Sequence, residues 1–258
     1  MLWNIWDGSD LTEAWMRPVS TSEPPKQYDY DVVWRDVYGD IQKYGPGHHH
    51  MCRILRRMLS RIEYGSVLDV GCGCGHNYTL LTKNGVAPRF GGIDISNYAL
   101  EIARKTVPGE FRQCDIQQEH LQGQWDLVVC SLVLEHLADD TAAIRHMRFM
   151  TKHYLLVTSI AGDFERYRKW DETQGHVRNY RVGELEQKLR EGGFRIRESI
   201  YWGYPFYSPI GRTLQNQNQM GLGAFTWRAR ATAKLATWLY YLNSSRRGDM
   251  VFVLAETT

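Results

Sequence analysis

At 258 residues and 30.0 kDa, with 43% hydrophobic and 23% charged residues, the chain has the make-up of an ordinary globular protein, which excludes wholesale disorder and fibrous repeats. A net charge of +2, from 31 Lys plus Arg against 29 Asp plus Glu, is too small for a dedicated nucleic-acid binder judged by total charge. There is no apolar run long enough to span a bilayer, the start Met1–Gly8 lacks the basic and apolar parts of a secretory signal, and the five cysteines lack zinc-site or disulfide spacing. A cytoplasmic location with reduced thiols is the expectation.

Residues 1–27 mix Trp3, Trp6 and Trp15 with Pro18, Pro24 and Pro25 and read as an arm. An aromatic-rich helix is expected from about Tyr28 to Tyr44, ending at Gly45-Pro46-Gly47, so that 1–47 forms an arm with a capping helix and 48–258 the main domain. Met51, Ile54, Leu55, Met58, Leu59 and Ile62 then fall on one helical face. From there strands and helices alternate. Strands are predicted at Ser66–Val70, Phe90–Ile95, Glu110–Cys114, Asp126–Cys130 and His153–Ile160, with helices from about His76, over Asn97–Lys105 and near Asp139–Met150. Such βαβα alternation with apolar strands implies an α/β fold, a mostly parallel sheet covered on both faces, with ligands at the carboxyl ends of its strands. A helix at Glu184–Glu191 and strands at Phe194–Tyr201 and Met250–Ala255 follow. Between the last two strands, residues 202–248 contain no acid but six basic residues, Arg212, Arg228, Arg230, Lys234, Arg246 and Arg247.

The chemistry concentrates in Val67-Leu68-Asp69-Val70-Gly71-Cys72-Gly73-Cys74-Gly75-His76-Asn77. Glycines at alternate positions after an apolar strand allow a tight turn and close backbone approach to a ligand, with free N–H groups at the helix start beyond it. A dinucleotide fingerprint is absent, because His76 stands where G-x-G-x-x-G needs its last glycine. Asp69 suits a ligand with a cationic amino-acid end and would repel a pyrophosphate. Asp94, in Gly91-Gly92-Ile93-Asp94-Ile95, stands where a strand-end carboxylate can accept two ribose hydroxyls. The next two strands end in Cys114-Asp115-Ile116 and in Cys130-Ser131-Leu132-Val133-Leu134-Glu135-His136-Leu137.

These segments resemble those of class I S-adenosylmethionine-dependent methyltransferases, in the group that includes the ubiquinone and menaquinone biosynthesis enzymes. The resemblance runs from about residue 48 to 201 and resumes at the last strand. It implies a Rossmann-like doubly wound sheet of seven strands, six parallel and the last antiparallel, and S-adenosylmethionine as cofactor. It further implies that Asp69, Gly71, Cys72, Gly73, Gly75 and Asn77 form the loop that cradles the methionine part. Asp94 with Ile95 would hold the ribose, Asp115 with Ile116 would flank the adenine, and Ser131 and Leu132 would line the floor. Cys72 and Cys74 are read as packing, and no metal site is expected.

Methyl transfer from a sulfonium needs positioning and, where the acceptor keeps a proton, a base. The candidates are His136, after the fourth strand, and His176 and Tyr180 within Gly175-His176-Val177-Arg178-Asn179-Tyr180, which resembles a family segment at the substrate mouth. Structural hydrogen bonding is the competing role for each. His48-His49-His50 cannot easily converge on one metal from consecutive helical positions. Nucleic-acid methylation is disfavoured, since neither the Asp/Asn-Pro-Pro-aromatic turn nor a Pro-flanked cysteine follows the fourth strand. The expected partner is a small organic acceptor, lipid-linked, glycosidic or otherwise, methylated on oxygen first and on carbon or nitrogen as alternatives. A non-catalytic cofactor-binding subunit and a nicotinamide oxidoreductase are the competing functions. In the insertion a helix over about 224–243 aligns Trp227, Ala231, Leu235, Trp238 and Leu242, with Arg230 and Lys234 on one flank and Arg228 on the other. It is expected to be either a lid over the cleft or a helix lying on an anionic membrane.

Overall fold

The structure, a computed structural model, describes residues 29–38, 41–82, 89–218 and 225–258, so the proposed arm over 1–27 lies outside the described residues. Seven strands form one sheet: β1 Ser66–Val70, β2 Arg89–Asp94, β3 Glu110–Gln113, β4 Trp125–Ser131, β5 Thr151–Ile160, β6 Phe194–Trp202 and β7 Met250–Thr257. Their order is β3-β2-β1-β4-β5-β7-β6, and β7 runs antiparallel to both β5 and β6. The order reverses between β1 and β4, and the crevice at the carboxyl ends of these two strands is where open α/β sheets bind ligands.

Successive residues along β4 point to opposite faces and both faces are covered, as the apolar runs required. Leu127 and Val129 join Met51, Ile54, Leu55 and Met58 of the helix α3, Pro46–Leu59. Val128 and Cys130 join Ile144 and Met147 of α6, Asp140–Met150, and Leu185 and Leu189 of α8, Glu184–Glu191. The remaining helices are α1 Tyr30–Val32, α2 Ile41–Tyr44, α4 Tyr78–Leu81, α5 Asn97–Thr106, α7 Arg168–Thr173, α9 Arg212–Asn218 and α10 Trp227–Tyr240.

Two expectations need correction. The helix expected over 28–44 is interrupted: α1 passes into a π-helical turn, Val33–Val37, and α2 starts afresh at Ile41. The β-branched residues Val32 and Val33 disfavour a regular helix there. Gly45-Pro46-Gly47 ends α2 at Tyr44 as expected and also starts α3, because Gly45 is extended and Pro46 occupies the first helical position, where its missing N–H costs nothing. The helix expected from His76 begins at Tyr78, because the glycine turn continues to Asn77. Among the described residues no helix is long and apolar enough to cross a membrane.

Candidate active site

The loop after β1 is built on left-handed backbone. Gly71, Gly73 and Gly75 have φ of 71°, 50° and 82°, values that L side chains rarely adopt. Gly71 N and Cys72 N both donate to Ile93 O, at 2.7 and 3.0 Å, which ties the loop to the end of β2. Space forbids side chains as well: a Cβ on Gly71 would collide with Val133, and one on Gly73 with the indole of Trp34.

Asp94 closes the loop from the other side. Its Oδ2 accepts from Gly73 N at 2.8 Å and its Oδ1 from Ser96 N at 2.8 Å. Each oxygen keeps a second lone pair, so two hydroxyls can still be accepted. Asp69 lies wholly buried under the turn, where the Asn77 amide donates to its two oxygens at 3.2 and 3.4 Å. Burial pushes the Asp69 carboxyl up to about 7. Burial likewise raises the thiols of Cys72 and Cys74, the latter to about 11, so both stay protonated.

Two cavities meet at this loop. One, of about 130 Å³, is lined by Gly71, Asp94, Ile95, Asp115, Ile116 and Leu132 together with Tyr30, Trp34 and Val133. A strand-end acid facing apolar walls has the chemistry to receive a nucleoside. Asp115 also organises its own turn, its Oδ1 accepting from Gln117 N at 3.0 Å. The second cavity, of about 270 Å³, is lined by Gly71, Cys72, Asn77, Ser131, Leu132, Glu135, His136 and His176, and by Trp170, Tyr207, Phe225 and Tyr240. Trp34, Tyr38, Gly71, Leu132 and His136 border both. Asp69, Gly73 and Gly75 border neither and act by shaping the loop.

The catalytic candidates separate. His136 and His176 face each other, ring centroids 4.8 Å apart. His136 Nδ1 lies 3.1 Å from Gly175 O, an acceptor only, so Nδ1 carries the proton. Burial, and then the neighbouring His176, push the His136 pKa down to about 3, leaving a neutral and weakly basic ring. His176 Nδ1 lies 3.2 Å from Asp171 Oδ1. Burial would raise the Asp171 carboxyl, but hydrogen bonding to His176 and the charge of Arg212 outweigh it and hold Asp171 below the usual carboxylate range. Asp171 is thus an anion and His176 Nδ1 a donor to it, which leaves Nε2 as the free lone pair. Tyr180, by contrast, is fully buried, donates its hydroxyl to Asp140 Oδ2 at 2.7 Å and borders neither cavity. Its pKa is raised by burial and by the Asp140 charge, so it serves the packing of α6.

Several residues of the site had not been singled out from the sequence. Glu135 is wholly buried, with Oε2 accepting from Ser159 Oγ at 2.7 Å and Oε1 without a partner. Burial raises its pKa. Ligating atoms of Glu135, His136 and His176 lie within 4.8 Å of one another, so this trio could hold a metal cation, which the sequence reading did not anticipate. Behind His176, Arg212 grips Asp171 through two bonds of 2.7 and 2.8 Å and reaches Asp249 Oδ2 at 3.2 Å. Glu135 stood beside His136 in the quoted segment and could have been weighed. The Asp171–Arg212 pair, 41 residues apart, and Trp34 gave no local signal.

Residues 41–199, more than half of the chain, match a family model described as a methyltransferase domain. The chain is 34% identical over 94 residues to the ubiquinone biosynthesis O-methyltransferase of Pseudomonas paraeruginosa, covering 34% of this chain and 40% of that protein. It is 32% identical over 99 residues to the trans-aconitate 2-methyltransferase of Enterobacter sp., covering 37% and 39%. The matched segment thus spans about two fifths of the length of these curated relatives. In fold it is similar to magnesium protoporphyrin IX methyltransferase of Synechocystis PCC 6803 with bound SAH, at a TM-score of 0.54 and 17% identity, over 82% of this chain and 84% of the other. The family match, on a sheet of the class I strand order, establishes that the chain belongs to the methyltransferase-domain family.

Proposed function

We propose that the chain methylates an oxygen of a small organic acceptor seated in the cavity of about 270 Å³, with His176 as the proton acceptor. The observation that carries this reading is the His176–Asp171 pair, whose free Nε2 belongs to a side chain lining that cavity. Bound S-adenosylmethionine supplies an electrophilic methyl on a sulfonium leaving group. Asp94 holds the cofactor's ribose, and the glycine loop keeps side chains out of its way. His176 takes the acceptor's hydroxyl proton while Asp171, locked by Arg212, stabilises the imidazolium. His136 then orients the acceptor through its neutral ring. The name of one relative, an O-methyltransferase, also favours oxygen over carbon or nitrogen.

The test is turnover with labelled cofactor over a panel of phenols, quinols and organic acids, comparing wild type, His176→Ala and His136→Gln. Loss of a general base lowers kcat by roughly 10²–10⁴ in His176→Ala with S-adenosylhomocysteine affinity retained, and His136→Gln falls by much less. A loss below about fivefold in His176→Ala on the best acceptor would remove His176 from that role, because base catalysis is worth more than that. A second reading is favoured by the Glu135, His136 and His176 cluster: these residues would hold a divalent cation, which would supply Lewis-acid activation of the hydroxyl. Chelation abolishes turnover under this second reading and leaves it unchanged under the first.

A further inference from the structure

The insertion between β6 and β7 supplies one wall of the acceptor cavity, through Tyr207, Gln215, Phe225 just before α10, and Tyr240 at its end. The buried face of α10 is made by small residues: Ala233 is buried, and α10 lies against α3, where His50 Nε2 meets Thr237 O at 2.9 Å. At about 100° per residue the stripe of Trp227, Leu235, Trp238 and Leu242 falls roughly opposite Ala233 and Tyr240. These four side chains are 74%, 71%, 75% and 69% exposed. The stripe itself does not line the cavity, which this part of the insertion reaches through Tyr240 and Phe225. Three large apolar side chains on the outer face of α10, with Leu242 just past its end, none of them covered by the other described residues, mark an interaction surface.

Charge identifies the occupant. Arg228 and Lys234 stand exposed on the two flanks of the stripe, and Arg246 and Arg247 are exposed just beyond the helix. No acid occurs anywhere in residues 202–248. The only insertion base withdrawn from solvent among these is Arg212, which is spent on Asp171 and Asp249. A second copy of this surface would bring like charges together and is opposed by them. An anionic bilayer accepts both features: the tryptophans and leucines enter the boundary between headgroups and acyl chains, and the long basic side chains reach back to the phosphates.

We propose that α10 docks the protein on the surface of anionic membranes, lying in the interface without crossing it. This inference does not depend on which acceptor or base the methyl transfer uses. The experiment is co-sedimentation of the whole protein with vesicles of phosphatidylcholine alone or mixed equally with phosphatidylglycerol, at low and high salt. Wild type is expected to bind the anionic vesicles at low salt and to be released by salt, since the surface field decays over about a Debye length. Arg228→Gln with Lys234→Gln should weaken binding about 30-fold, the product of two basic residues near the surface. Trp227→Gln with Trp238→Gln should abolish it. Calorimetric binding of S-adenosylhomocysteine, unchanged in both variants, shows that they remain folded. Failure of wild type to bind anionic vesicles at low salt overturns the proposal. So does binding that survives both pairs of substitutions, or a dimer in sedimentation velocity that Trp238→Gln dissolves while vesicles are ignored.

Discussion

The carboxyl of Asp69 is out of solvent with the Asn77 amide as its side-chain donor among the described residues, and burial raises its pKa to about 7. In the unfolded chain an aspartate titrates near 3.9. The folded state thus binds this proton more tightly, and the associated stability is fully present below about pH 4 and is lost as pH rises through about 7. Asp69→Asn keeps the shape and removes the buried charge. In the ligand-free protein its melting temperature, relative to wild type, should increase between pH 5 and pH 8; an offset independent of pH would show that Asp69 does not titrate in this way. The motif marked Asp69 as part of the site, but its role beneath the loop depends on burial, which spacing cannot reveal. The same holds for His136. Its position after β4 was legible, whereas the withdrawal of its basicity comes from burial and then from the neighbouring His176. The place of Asp94 at the cavity was readable, because a strand-end acid is set there by local geometry.

At the scale of elements, the α1 segment docks on the start of α5 through Asp31, whose Oδ1 accepts from Ser96 Oγ at 2.5 Å and from Tyr98 N at 3.1 Å. That contact sets Trp34 over Gly73 and stacks it on His76, ring centroids 6.0 Å apart. Trp34 borders both cavities. Trp34→Ala should therefore weaken S-adenosylhomocysteine binding and raise the acceptor KM together, each by roughly tenfold, the equivalent of about 1.4 kcal/mol. A change confined to one ligand would mean that Trp34 belongs to one cavity alone. The alternation of strands and helices was legible because periods of 2 and 3.6 are strong signals over five or more residues. The interrupted helix around Trp34 was not, because a π-turn leaves no periodic trace.

The molecule as a whole is a family sheet with an individual edge. Arg212 pins that edge, joining Asp171 near the site to Asp249 just before β7 and covering the Tyr167 ring at 4.2 Å. Arg212 is 2% exposed. Arg212→Ala leaves Asp171 buried without its main countercharge and should cost about 3–5 kcal/mol in urea denaturation, as breaking a buried pair does. A cost below about 1 kcal/mol would mean that water replaces the guanidinium and that the pair is not an anchor. Composition revealed that 202–248 was unusual, and the stripe on α10 was visible in the sequence. Which way the stripe faced was not, since both sides of that helix carry apolar residues.

The claim on which the rest depends is that Asp94 and the glycine loop hold the cofactor in the cavity of about 130 Å³. It is tested most directly by calorimetric titration of S-adenosylhomocysteine into wild type and Asp94→Ala. The account predicts one site in the wild type and an affinity at least tenfold lower in the variant, because each charge-assisted hydrogen bond lost to a ribose hydroxyl is worth about 1.5–3 kcal/mol. Equal dissociation constants for the two proteins would contradict it.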